Sequence, residues 1–150
     1  MKPGYLFGTC PCATSAGQLL LRITLGVAMW PHGAQKVLGW FGGGGLDATL
    51  SAFTGGMGIP SPLAWIAILT EFFAPLAIVS GLLTRLAALG LAITMGVAMT
   101  HNWDHGFFMN WYGNQSGEGI EYQILYVGAA LALMLMGAGK YSLDALLDRK

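Results

Sequence analysis

Four apolar runs, Leu19 to Trp40, Leu63 to Leu83, Leu86 to Thr100 and Tyr122 to Ala138, dominate the pattern along the chain. Each stands near the roughly 20 residues that a helix needs to cross a hydrocarbon core about 30 Å thick. Leu86 to Met99 reads LAALGLAITMGVAM, with no polar stripe at every third or fourth position, so a helix formed there is apolar all round, unlike the striped helices of a soluble protein. The third and fourth runs have uncharged cores, whereas the first contains Arg22, His32 and Lys36 and the second contains Glu71. The pattern predicts an all-α membrane protein, a four-transmembrane-helix bundle with helices at about 19–40, 63–83, 86–100 and 122–138.

The connections refine this picture. Thr84-Arg85 alone separates the second run from the third, which predicts a tight hairpin, while the other two connections are long and must share the opposite side. The first long loop holds Leu46 to Phe53 between glycines, a candidate amphipathic helix on the membrane surface. The second carries Trp103, Phe107, Phe108, Trp111 and Tyr112, aromatic residues that favour the headgroup interface. After the last run, Ser142 precedes Leu143, Leu146 and Leu147 at helical spacing, so a short C-terminal interfacial helix capped by Ser142 is expected.

Lys2, Arg22, Arg85, Lys140, Arg149 and Lys150 fall on the hairpin side and only Lys36 on the side of the long loops. Positive residues collect in cytoplasmic flanks, so both termini are expected in the cytoplasm and the protein in a bacterial-type plasma membrane as a multi-pass chain. One domain covers residues 1–150, with 1–16 read as a flexible N-terminus and the first helix as an uncleaved signal anchor. Arg22, at the cytoplasmic end of its helix, is read as an anchor that snorkels to the headgroups.

Composition agrees: 55% of residues are hydrophobic and 9% charged, with 7 basic against 7 acidic residues, so there is no basic field for nucleic acid and the expected surroundings are membrane lipid. Cys10 and Cys12 are too few and too close for a disulfide framework, and they lack the Cys-x-x-Cys spacing of a dithiol site.

Ionisable groups inside an apolar helix are costly and mark a protein-lined or wet interior. By the rise of 1.5 Å per residue, His32 and Glu71 each lie about 12 Å inside the loop-side boundary and Lys36 about 6 Å. His32 and Lys36, four residues apart, share one helix face, and Glu71 can pair with either. Pro31 and Pro75 leave the carbonyls of Val27 and Glu71 without helical donors, so kinks and a cavity are expected beside the polar cluster. His101 and Glu121 can join from the other two helices, with Asp104, His105, Glu118 and Tyr122 nearer the surface. His101 and His105 have metal-pair spacing but no His-Glu-x-x-His arrangement, and no metal site is assigned.

Arg22, then His32-Gly33-x-x-Lys36 ten positions on, Gly58-Ile59-Pro60, Glu71, Gly81-x-x-Thr84-Arg85 and Gly137-x-Gly139-x-x-Ser142-x-Asp144, in this order, resemble the DoxX family over Leu19 to Asp144. The resemblance implies a four-helix membrane fold. Through family members associated with thiosulfate:quinone oxidoreductase it also implies a link between sulfur or thiol oxidation and membrane quinone. The Cys-Pro-Cys segment lies outside the shared pattern.

The leading expectation is a quinone-linked oxidoreductase or its membrane subunit. His32 would hydrogen-bond a quinone carbonyl, Lys36 would stabilise negative charge on the reduced ring, and Glu71 would relay a proton, with His101 and Glu121 joining in cofactor binding. No haem, flavin, iron–sulfur or metal motif is present in the sequence. Two alternatives are a non-catalytic scaffold that docks soluble redox enzymes and a small transporter or channel, although the latter has no internal repeat to support it. A redox subunit and a second copy of the chain are the expected protein partners.

Overall fold

The computed structural model describes residues 11–148. Among the described residues there are six α-helices and no strand: α1 (Pro11–Leu38), α2 (Gly45–Ser51), α3 (Ser61–Ser80), α4 (Thr84–Asn102), α5 (Glu121–Met136) and α6 (Leu143–Leu147). A π-helical turn, Ala52–Gly56, prolongs α2, and a 3-10 turn, Trp103–His105, prolongs α4. The long helices pack α1 on α3, α3 on α4, α4 on α5 and α5 back on α1. Their shared core is a layer of Leu25, Met29, Ile78, Leu91, Tyr126 and Leu133 with alanines between them. Outward-facing apolar side chains remain bare, Leu20, Val27, Ile66 and Phe73 each being more than half exposed. By length and composition, α1 and α3 can cross a membrane, and α5 is a shorter apolar helix.

Helix bounds depart from the sequence expectation where local chemistry extends or stops them. Residues 11–16, expected in a flexible terminus, form the first turns of α1. Proline is tolerated at a helix start because the N–H it lacks would have no intrahelical acceptor there. Lys2, Cys10, Arg149 and Lys150 lie outside the described residues. The hairpin is Gly81-Leu82-Leu83, and Thr84 and Arg85 already belong to α4. Gly81 stops α3 in the left-handed conformation (φ 73°, ψ 34°), which glycine adopts without steric cost. The helix expected at Leu46 to Phe53 is present as α2 and its π-helical turn. Ser142 caps α6 by accepting from the Ala145 N–H at 3.1 Å, as its position in the sequence predicts.

Leu83 is also left-handed, at φ 48°, and Asp144 holds it there. The Asp144 carboxylate accepts from the N–H groups of Leu83 (2.7 Å) and Thr84 (3.0 Å), capping α4 from a distant part of the chain. Partial burial pushes this carboxyl up, but the Thr84 and Leu83 amides and the positive charge of Arg22 outweigh that effect and hold it below its ordinary value of 3.8. Its contribution is therefore full at neutral pH and is lost as pH falls below the ordinary value toward the lowered one. Asp144→Ala is expected to cost about 1 kcal/mol at pH 7, in line with other lost caps. The gap to wild type should shrink below about pH 4, read as melting temperature against pH in detergent.

Arg22 does not snorkel. Its side chain is 1% exposed and ties three segments together. Nε donates to the Ile78 carbonyl (2.8 Å) and one terminal nitrogen to Val79 (2.7 Å), while the other donates to Ala138 (3.0 Å) and Tyr141 (2.7 Å). The last carbonyls of a helix lack intrahelical donors, and those of α3 meet a planar fork of N–H groups at this point. Gln18, one turn earlier on α1, adds bonds to the Met136 and Gly137 carbonyls at 2.9 and 3.2 Å.

Small residues set the spacing of α1 on α3. A Cβ at Gly33 would run into the backbone of Glu71 and Phe72, and one at Gly26 into the Val79 side chain and the Pro75 carbonyl. The Glu71 carbonyl that Pro75 deprives of a helical donor thus lies in a close crossing with Gly33, and the widening expected at that point is absent. Pro31 and Pro75 instead flank an apolar groove of about 420 Å³ on the far side. Gly33→Ala must push the helices apart and is expected to cost about 1–3 kcal/mol, the usual penalty for overpacking, measurable as a lowered melting temperature in detergent.

Candidate functional site

Lys36 and Glu71 form an ion pair across the α1–α3 contact, with the Glu71 side chain 4% exposed and that of Lys36 25%. Lys36 can reach Glu71 because the Gly33 crossing, one turn below it, brings the two backbones together. Two cavities meet at the pair, and both have Lys36, Glu71, Met95 and Asn102 in their walls.

The larger cavity is a cleft of about 460 Å³ between α3 and α4. Its walls are apolar, with Phe53, Met57 and Ile59 of the first long connection closing the loop end. Ile66 of α3 and Ile93 and Val97 of α4 stand exposed at its mouth, so the cleft opens sideways from the helical body. Its polar groups are few: the Lys36–Glu71 pair, His101, Asn102 and Thr94. The His101 ring is held by Nδ1, 3.1 Å from the Val97 carbonyl. A carbonyl only accepts, so Nδ1 carries the proton, and in the neutral ring Nε2 is then an acceptor.

The smaller cavity, about 310 Å³, is the polar chamber between α1, α4, α5 and the second long connection. His32, Glu118, Tyr122 and Gln123 line it together with the shared wall. With its amide NH2 turned to the Gly119 (3.0 Å) and Ile120 (3.3 Å) carbonyls, Gln123 accepts from Asn102 Nδ2 at 2.7 Å, which stiffens that wall. The Tyr122 hydroxyl is buried without a hydrogen-bond partner among the described residues. Glu118 accepts from the Asn110 N–H at 3.0 Å and, like His32, is exposed at the chamber's outer side.

The sequence-predicted residues are therefore divided. Lys36 and Glu71 come together, and His101 joins them on the cleft side. His32 reaches the pair from the chamber side and makes no ion pair with Glu71. Glu121 lines neither cavity; its carboxylate accepts from the Met109 N–H at 3.3 Å and so fastens the loop. Met95, Asn102 and Gln123 were not singled out from the sequence, because residues without a charge give no signal of depth inside an apolar run. Cys12 is exposed on the first turn of α1 with Sγ 3.4 Å from Lys140 Nζ, far along the helix from both cavities.

Among the described residues the body is all-helical, with a little-exposed ion pair set between an apolar cleft and a second, more polar cavity. The DoxX family model matches residues 17–111, well over half of the chain, and the chain belongs to this membrane-associated family. The match includes His32, Lys36, Glu71 and His101 and stops before Tyr122. The chain is 34% identical over 93 residues to an uncharacterized protein of Haemophilus influenzae, a match covering 61% of this chain and 58% of that relative's length. It is 27% identical over 129 residues to a Bacillus subtilis protein named "Putative oxidoreductase CatD", covering 85% of this chain and 84% of that one. No solved structure matches the chain.

Proposed function

We propose that this chain is a quinone-linked oxidoreductase, or the membrane subunit of one, acting in sulfur or thiol redox metabolism, with the quinone ring at the inner end of the α3–α4 cleft. The observation that carries this reading is an apolar cleft that opens sideways and ends on a buried ion pair. Such a site suits a lipophilic molecule whose one polar end carries carbonyl oxygens. A bound quinone supplies a two-electron, two-proton acceptor, and two thiols becoming a disulfide release that number of electrons and protons. The Lys36 ammonium stabilises negative charge that builds on a ring oxygen and can donate to it. Glu71, paired with Lys36, would take part in proton exchange, and His101 Nε2 would accept from a hydroxyl of the reduced ring. Asn102 is an uncharged donor for a second oxygen.

The reading includes four membrane spans, α1, α3, α4 and α5, in a bacterial-type plasma membrane. It is supported by exposed Leu86 and Ile93 on α4 and Leu125 and Leu135 on α5, each 60% exposed or more, which lipid would cover. Arg22, Arg85 and Lys140 gather at the hairpin end, which supports a cytoplasmic position for that end and for both termini.

The test is quinone reduction by the purified protein with thiosulfate and with simple thiols, together with quinone titration of tryptophan fluorescence. Turnover with saturable quinone binding is expected. His101→Ala should weaken binding of the quinol, whose hydroxyl can donate to Nε2, by about tenfold, equivalent to one lost hydrogen bond of about 1–1.5 kcal/mol, and leave the melting temperature near wild type. Absence of both binding and electron transfer would remove quinone from the account.

A further inference from the structure

The quinone reading uses the cleft and leaves the polar chamber unexplained. We infer that the chamber is a proton conduit joining the Lys36–Glu71 pair to the loop end of the protein, so that the redox cleft exchanges protons with that side alone. The inference rests on the quinone reading for its purpose, but not for its geometry.

Lys36 and Glu71 stand in the wall between the two cavities, the place a group must occupy to take a proton from one and deliver it to the other. On the chamber side the pair is followed by protonatable groups from three elements, His32 on α1, Tyr122 on α5 and Glu118 on the second long connection, while α4 contributes Met95 and Asn102. His101 on α4 faces the cleft. Glu118, on the second long connection, is exposed, so this series reaches the protein surface at the loop end. The Tyr122 hydroxyl, buried and unpartnered among the described residues, needs an acceptor or a donor, and water is the common one at such sites. A chamber of about 310 Å³ has room for several waters, each taking about 30 Å³. Short chains of water and hydroxyl groups carry protons over this distance without any side chain leaving its place.

The other directions are closed. The cleft walls are apolar beyond its few polar groups, so the lateral opening offers lipid and no water. Toward the hairpin end, Leu25, Met29, Ile78, Leu91 and Leu133, each 3% exposed or less, fill the space between the pair and the Arg22 knot. The Tyr126 hydroxyl in this layer is committed to the Leu25 carbonyl at 3.0 Å. Reduction of one quinone then draws two protons through the chamber to the Lys36–Glu71 pair and on to the two ring oxygens, and oxidation returns two by the same route.

The experiment uses the full chain in proteoliposomes with known orientation. Tyr122→Phe and Glu118→Gln should each slow quinone reduction by roughly tenfold, short of the 10²-fold or more expected when the proton-transferring group itself is lost. Quinone affinity should stay at the wild-type value, and a small weak acid added on the loop side should restore the rate. A second readout needs no quinone: after acid is mixed on the loop side, the infrared band of protonated Glu71, identified by its loss in Glu71→Gln, should rise about tenfold more slowly in Tyr122→Phe than in wild type. Equal band kinetics in the two proteins, or a band that responds only to acid on the hairpin side, would overturn the conduit. A wild-type protein that neither binds nor reduces quinone would overturn the functional reading, and the infrared kinetics would still decide the conduit.

Discussion

Arg22→Ala is expected to leave little folded protein in detergent, with a melting temperature lowered far more than by any other single change near the hairpin end. The guanidinium donates to four carbonyls, of Ile78, Val79, Ala138 and Tyr141, in a region where water is excluded. A hydrogen bond to a charged group contributes about 1.5–3 kcal/mol, and a buried acceptor left without a donor costs about 1–3 kcal/mol. Even allowing for relaxation and water entry, a loss of roughly 4–5 kcal/mol follows, against a total stability of about 5–15 kcal/mol for a typical domain. Arg22→Lys should fall between, since one ammonium cannot span acceptors on α3 and on the 137–141 segment together. Size-exclusion yield and thermal unfolding in mild detergent read the result. An Arg22→Ala protein that melts within about 2 °C of wild type would show that the four bonds contribute less than about 1 kcal/mol in total.

The second large effect concerns Lys36 and Glu71, where stability and activity should separate. Lys36→Met leaves a carboxylate that is 4% exposed without its partner, and such breaks cost about 3–5 kcal/mol in fully buried pairs. The cost should sit at the low end here, because the Lys36 side chain is a quarter exposed and Glu71 can take up a proton. Replacing both, as Lys36→Met with Glu71→Leu, should recover most of that stability. It should not recover turnover, which is expected to fall by about 10²-fold or more in both variants through loss of charge stabilisation and proton transfer. If the double variant regains both melting temperature and quinone reduction, the pair only packs helices. If it retains partner proteins in a detergent pulldown while no variant or wild type reduces quinone, the chain is a docking scaffold.

Much of this was legible in the sequence because membranes impose simple lengths. The apolar runs located the four long helices to within a few residues, apart from the start of α1, where Pro11 to Gly17, small and mostly weak helix formers, carry neither a hydropathy nor a propensity signal. Depth counting brought Glu71 level with His32 and left Lys36 one turn away on the same face, so the sequence confined the partner of Glu71 to these two, and the structure pairs it with Lys36. Arg22 was misjudged because a charge near a helix end looks alike whether its acceptors are headgroups or carbonyls. Those carbonyls belong to residues 56 to 119 positions away, where no local pattern points. A cavity beside the polar cluster is expected from the sequence and two meet there, but their shapes were out of reach: the groove beside Pro31 and Pro75 is apolar, while the smaller cavity at the pair takes its shape from α5 and a loop.

The Arg22 knot also fixes an order of events during synthesis. Arg22 leaves the ribosome with α1, yet two of its acceptors arrive with the end of α3 and the other two only with residues 138 and 141. Until then the guanidinium lacks half of its acceptors, so the final tightening of the first helix waits for almost the last segment to be made. A chain halted before Ala138 would leave the guanidinium with the two acceptors of α3 and without the two of the last segment.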